Sequence, residues 1–420
     1  MATDRVIYQS ESLLVSKINE DGTNITSSDV KELNRVQDMS YNLEVTRTDI
    51  NEFGQLAALS REVTEPPSVT LDFSYYLTDG TQEENLGFNL NTGDFPKADP
   101  TSFTKDLLDG TDNKDELNYY VVTVPEGEDV HDASQKVGQS DHGVIGVGNG
   151  FITSYGISAA VGELATASVS VEASNIVFKN DIGSAFQNPS INVSSSTGAR
   201  LTNTVDLTDV ASNDGNIQVG SSEVFAIRPG DIYIDFDAKG YFQSSKDAGK
   251  LGVGGAVLPG VNETKSQTGI HVQNISLEVP IARSPLNRLG SLYPFSRKVD
   301  FPVNMTLSVS ALMTEFSDGS LDELLCGDEV KRDIAIVLNT RCGTNNALVY
   351  VMRNAILDTQ SFSASIGDNK TVDLTFSSQI GGANDSENGI FVMQESGSSV
   401  DLNTGDKIKQ TPTATHTPTV

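Results

Sequence analysis

The chain has no tryptophan, only two cysteines and four histidines, and half as many basic as acidic residues (28 against 57). Each shortage excludes something. Cys326 and Cys342 are too few for a disulfide framework and lack metal-ligand spacing. They suit assembly in a reducing cytoplasm. His131, His142, His271 and His416 are scattered, and none lies near a cysteine. A net charge of −29 repels nucleic acid and anionic membranes and keeps the chain soluble. No basic patch with interleaved aromatics is present, which argues against sequence-specific nucleic-acid binding. No apolar run approaches the ~20 residues of a membrane helix. The N-terminal MATDRVIYQSE has no basic flank followed by an apolar core, so no signal peptide is expected.

What is present is a repeat. Val36–Leu71 recurs as Val272–Leu307 at a constant offset of 236, with 13 identities in 36 positions. Unrelated sequence would give roughly two. Arg47, Asn51, Gly54, Ser60, Arg61 and Pro66 each return as Arg283, Asn287, Gly290, Ser296, Arg297 and Pro302. A second block, Asn149–Ala173, returns from Asn354 at an offset of 205. The fall in offset places 31 extra residues between the two blocks of the first copy. A repeat of this length means two copies of one domain in one chain.

Alternation sets the secondary structure. Met39, Tyr41, Leu43 and Val45 share one face of a strand, and Ile275, Leu277, Val279 and Ile281 keep that phase. Pro280 points the second of these strands to an edge or a bulge. Turns close at Gly54 and Gly290. Val69, Leu71, Phe73 and Tyr75 alternate again, as do Met305, Leu307, Val309 and Ala311. Residues 5–17 contain an edge-like strand. Phe151–Val161 and Ala167–Val171 form a hairpin about Gly162. Tyr119–Val124 and Asp333–Leu338 read as strands. Ser102–Leu108, with Ser102 as a cap, and Leu321–Leu325 read as short helices. Val224–Phe242 stands where the N-terminal strand stands in the first copy.

The expected division is a first domain over 1–178, with a loop-rich acidic insertion over about 80–141. A linker or surface excursion follows over 179–222. The second domain spans 223–393, and a flexible tail covers 394–420.

No constellation points to chemistry. Asp141-His142 lacks a nucleophile motif. Gly146–Gly150 resembles part of a phosphate loop, but it lacks the Lys-Ser/Thr and is followed by a β-pattern, so strand-entry glycines are the preferred reading. Asp109–Glu116 has a calcium-like composition without the EF-hand register. The seven Asn-x-Ser/Thr triplets are those a Ser/Thr/Asn-rich β chain produces by chance. The recurring arginines suggest paired carboxylates within the domain or its contacts. Catalytic, cofactor-binding and metal-ligating residues are therefore expected to be none, and no enzyme activity or cofactor is expected.

The blocks RSPLNRLGSLYPFSRKVDFPVNMTLSVSA and GNGFITSYGISAAVGELATASVSVEA resemble the tail tube proteins of tailed bacteriophages. The resemblance implies a mainly β fold. It comprises two tandem tail-tube-like β-sandwich or barrel domains, each with a short flanking helix, plus long loops. It also implies a structural virion protein, assembled in the host bacterial cytoplasm. Its chains would close into trimeric, pseudo-hexameric rings that stack into a tube. Its partners would be itself, the tape measure, tail terminator and baseplate proteins, and a sheath where the tail has one. DNA would pass through an acidic conduit without specific binding. Two alternatives stay open: a baseplate hub or tube-initiator protein with two tube-like domains, and a carbohydrate-binding β-sandwich adhesin. Lack of tryptophan counts against the adhesin.

Overall fold

The computed structural model describes residues 11–19, 23–92, 100–109, 115–124, 129–130, 136–137, 142–180, 186–192, 199–208, 210–211, 226–235, 270–291, 293–313, 331–338, 348–363 and 371–394. The sequence expectations for Leu321–Leu325, for the two cysteines and for the tail lie outside these residues.

The first copy opens with β1 (Glu11–Lys17), β2 (Lys31–Leu33) and β3 (Val36–Glu44). The hairpin β4 (Arg47–Ile50) and β5 (Ser60–Val63) and the strand β6 (Ser68–Tyr76) follow. Then come α1 (Thr81–Asn85), β7 (Leu90–Thr92), α2 (Lys105–Asp109) and β8 (Leu117–Thr123). A short β9 (Lys136–Val137) precedes the longest strand, β10 (Gly143–Ala160), and its neighbours β11 (Thr166–Ala173) and β12 (Asn175–Lys179). Three two-residue strands lead toward the second copy: β13 (Phe186–Gln187), β14 (Thr204–Val205) and β15 (Val210–Ala211). The second copy contributes β16 (Ile232–Asp235), β17 (Ile270–Pro280), the hairpin β18 (Arg283–Leu286) and β19 (Ser296–Val299), and β20 (Val303–Met313). It ends with β21 (Arg332–Leu338), β22 (Leu348–Ser363), β23 (Thr371–Ile380) and β24 (Gly389–Gln394).

The fold is mainly β. Sixteen of the strands belong to one mixed sheet that does not close into a barrel among the described residues. Its long path runs β22-β23-β20-β17-β10-β11-β6-β3, eight antiparallel strands drawn four from each copy. β10 and β22 each bend from this leaf into a second one. Gly143–Val147 of β10 pairs with β8, and Ser154–Ala160 pairs with β17. Leu348–Met352 of β22 likewise pairs with β21 and β24, and Ile356–Ser363 pairs with β23. At the two bends Asn149 and Asn354 adopt positive φ, 57° and 53°. Asparagine tolerates that region better than most residues. A sheet that changes leaf through bulged strands is a sandwich corner.

The copies correspond down to their irregularities. β10 and β22 are bulged at Ile152/Ser154 and Leu357/Thr359, and β3 and β17 at Val36/Asp38 and Val272/Asn274. β8 and β21 match at an offset of 215, intermediate between 236 and 205. The extra residues of the first copy therefore lie on both sides of β8. β16 pairs with β21 as β1 pairs with β8.

One core runs through both copies. Val69, Leu71, Phe73 and Tyr75 are buried, as are Met305, Leu307, Val309 and Ala311. Across the leaves Phe73 meets Tyr119 with ring centroids 6.1 Å apart.

Four expectations need correction. β1 is not an edge: it pairs with β2 on one side and β8 on the other, and its five middle residues are buried. β17 is not an edge either, since it lies between β20 and β10. Pro280 is tolerated there because the ladder to β20 ends two residues earlier, at Glu278, so that no partner needs its missing N–H.

Third, the loop-rich acidic insertion expected after Gly80 packs into the core where it is described. Leu86, Phe88, Phe103 and Leu107 are buried, and β7 pairs in parallel with β24 of the second copy. Phe103 N–H donates to Ile390 O at 2.9 Å, and Asn91 Nδ2 to Val392 O at 3.2 Å. The segment is a bridge between copies. α2 begins at Lys105, and the Ser102 hydroxyl meets the Thr104 hydroxyl at 3.3 Å.

Fourth, the described part of 179–222 packs against β1, β8 and β10. Phe186, Val205, Leu207 and Val210 form a second apolar cluster with Leu14, Tyr120, Val122 and Val144.

That packing explains the glycines of 146–150, which lie inside β10. A Cβ on Gly148 would stand 2.5 Å from the Pro189 backbone, and one on Gly146 would stand 2.8 Å from the Phe186 ring. Gly148→Ala is therefore expected to destabilise the chain by about 1–3 kcal/mol, measured by urea denaturation. A neutral result would show that Pro189 moves aside freely.

Candidate functional site at the open edges of the sheet

The eight-stranded leaf has one buried face and one open face. On the open face the rows Ser40, Asp72, Ser170, Ser154 and Ser276, Ser308, Thr375, Thr359 run across neighbouring strands. The charged residues at its strand positions are Asp38, Glu44, Asp72, Glu172, Glu278 and Asp373. No described strand position on this face holds lysine or arginine. The wall is hydroxyl-rich and acidic.

The leaf ends in two edges, β3 and the Ile356–Ser363 part of β22. Among the described residues neither has a strand on its outer side. The corresponding strands β17 and β10 pair with each other in the middle of the leaf, from Ser154 opposite Pro280 to Ala160 opposite Asn274. The repeat thus supplies an internal control for every edge residue. Tyr41 is 44% exposed and its counterpart Leu277 2%; Leu43 is 47% exposed and Val279 0%. On the other edge Phe362 is 52% exposed and Ile157 2%; Ile356 is 37% exposed and Phe151 7%. All four edge residues are apolar in both copies, and each is covered only where the copies meet. Phe178 of β12, also exposed, stands 6.2 Å from Tyr41 and extends that apolar edge.

The hairpins repeat the contrast. In β18–β19 Arg297 is buried and ion-pairs with Glu172 of β11, and its guanidinium lies 5.8 Å from the Phe151 ring centroid. Arg283 sits 5.0 Å over the same ring and donates to Leu107 O at 2.7 Å. Burial lowers the Arg283 pKa, and Asp115 and Glu116 nearby act the other way. The matching Arg61 is solvent-exposed and, among the described residues, pairs with Asp49, its cross-strand neighbour, at 2.6 Å. At and beyond the strand ends both hairpins present exposed apolar residues: Ile50, Phe53, Leu56 and Leu59 in one, Leu286, Leu289 and Phe295 in the other. Gly54 and Gly290 turn the tips with φ near 95° and 87°.

One buried carboxyl that the sequence does not single out is Glu83 of α1. It is fully buried where the copies meet. Tyr75 and Tyr155 donate to its Oε1 at 2.9 and 3.0 Å, and the Tyr155 and Tyr350 hydroxyls meet at 3.0 Å. Its Oε2 has no partner. Burial raises the Glu83 pKa, with Asp79 adding to the rise and the two tyrosine donors opposing it. A carboxyl with a raised folded pKa contributes stability that is full below its unfolded value and is lost as pH rises through the folded one. Glu83→Gln does not titrate. The variant should therefore gain stability relative to the natural chain as pH rises above the ordinary carboxylate range in urea unfolding. A difference that does not change with pH would show that Glu83 titrates normally. No local pattern marks this site, because its four groups come from α1, β6, β10 and β22.

The other sequence candidates stay apart. His142 is buried at the start of β10, while Asp141 lies outside the described residues. Among the described residues no group of three or more His, Cys, Asp or Glu side chains could hold a metal ion. No described helix is long and apolar enough to cross a membrane. No family model matches the sequence, and no curated protein matches it either.

Proposed function

We propose that the chain is the major subunit of a bacteriophage tail tube. Three chains close a ring of six repeat units, and rings stack into a conduit for DNA. The observation that supports this most is the pair of open edges, whose counterparts already pair inside the chain. A sheet whose two ends complement each other grows head to tail, and such growth closes into a ring when the rotation per unit allows it. The tail-tube resemblance supplies the six-unit ring, and two units per chain then give three chains.

The hairpin tips supply the contact between rings, since several exposed apolar side chains gathered on one hairpin are best accounted for by a partner. The acidic open face lines the lumen and repels the phosphate backbone, so that DNA slides without sticking. The tape measure, terminator, baseplate and any sheath protein are the remaining partners, and the virion is the place of action.

Electron microscopy and native mass spectrometry of the purified full chain test this reading. Rings of three chains or stacked tubes are expected. A single unstacked ring would favour the baseplate hub, and a monomer at high concentration would overturn both.

A further inference from the structure

The internal joint between β10 and β17 can be transferred residue by residue to the open edges, because the bulges of the paired strands coincide in both copies. We infer that the joint between chains is an antiparallel pairing of fixed register. Thr359–Phe362 of one chain runs against Tyr41–Glu44 of the next, with Thr359 opposite Glu44, Gln360 opposite Leu43, Ser361 opposite Asn42 and Phe362 opposite Tyr41. This inference rests on the ring reading proposed above.

The template is the observed pairing of Tyr155 with Val279, Gly156 with Glu278 and Ile157 with Leu277. Adding 205 to the β10 residues and subtracting 236 from the β17 residues gives the inferred pairs. A one-residue slip would set Tyr41 and Leu43 of one chain opposite open-face residues such as Ser361 and Thr359 of the next, so the register is strongly specified. The edge strands carry a row of backbone donors and acceptors, and pairing satisfies them.

The inter-chain joint is not a copy of the internal one in its polar contacts. Ser377 stands where Glu172 receives Arg297, so Arg61 finds no carboxylate there. Leu107, which receives Arg283, belongs to a segment whose described part has no described equivalent in the second copy. The joint between chains is therefore held by the backbone ladder and by Tyr41, Leu43, Ile356 and Phe362.

The test is a cysteine pair, Asn42→Cys with Ser361→Cys, in a chain whose Cys326 and Cys342 are replaced by serine. Both positions lie on the open face, and directly opposed strand residues meet the Cα separation a disulfide needs. Oxidation of the assembled protein should give covalent dimers and trimers and stop at three chains. The displaced pair, Asn42→Cys with Thr359→Cys, should cross-link about tenfold less under the same conditions.

Rings that form but cross-link better through the displaced pair would overturn the register and leave the ring intact. Failure of the natural chain to form any ring would overturn the ring reading first. Hydrogen exchange on the natural chain gives a second readout that needs no substitution. Amides of 41–44 and 359–362 should gain protection on assembly, and unchanged exchange in visible rings would sink the pairing.

Discussion

Phe362→Asp should leave the chain folded and abolish its assembly. Phe362 is 52% exposed in the isolated chain, so its removal costs the fold about 1 kcal/mol or less. In the proposed ring the same side chain would be covered as Ile157 is covered inside the chain. Losing that burial removes about 2 kcal/mol from each joint, roughly 30-fold in its association constant. The introduced carboxylate adds its own desolvation cost. The proposed ring has three such joints, so the losses would compound. Circular dichroism should show a folded chain while sedimentation shows monomers at concentrations where the natural chain assembles. Assembly at the natural concentration would mean that this edge is not a joint.

Phe103→Ala should be the costliest single truncation in the bridge, at about 3–5 kcal/mol. The Phe103 ring is fully buried and stacks on Phe88 at 4.3 Å with 6° between planes. It also meets the edges of Tyr155 at 5.3 Å and Tyr350 at 5.9 Å, one from each copy. Truncation leaves a cavity between copies that neither sheet can collapse into without shifting strands. Phe53→Ala, at a fully exposed hairpin tip, should change chain stability by less than about 0.5 kcal/mol and weaken ring stacking instead. Urea denaturation of both variants separates the two roles. A Phe103 cost below about 1 kcal/mol would remove the bridge from the core.

The alternation in the two copies was legible because one strand residue in two faces the core, and Val69, Leu71, Phe73 and Tyr75 are all buried as their phase requires. The bridge was not legible. Leu86 and Phe88 stand two apart and Phe103 and Leu107 four apart, pairs too short to mark a strand or helix face, and they sit among acidic and glycine-rich stretches. They are buried because they fill the wedge between two sheets, which no local pattern marks. Phe186, Val205 and Leu207 were missed for the same reason. The glycines of 146–150 were placed in a strand, but the need for them came from Pro189 and Phe186, some 40 residues away.

The candidate site divides in the same way. By itself the sequence determined that Tyr41 and Leu277 are equivalent, that both are apolar, and that both point to the same face of their strands. It determined equally that Phe362 and Ile157 are equivalent. Only the tertiary structure decided that one member of each pair is covered and the other is not. Equivalence is carried by the residues themselves, whereas burial depends on what lies beside them. β17 stands next to β10, and β3 and the Ile356–Ser363 part of β22 stand at the ends of the eight-stranded leaf.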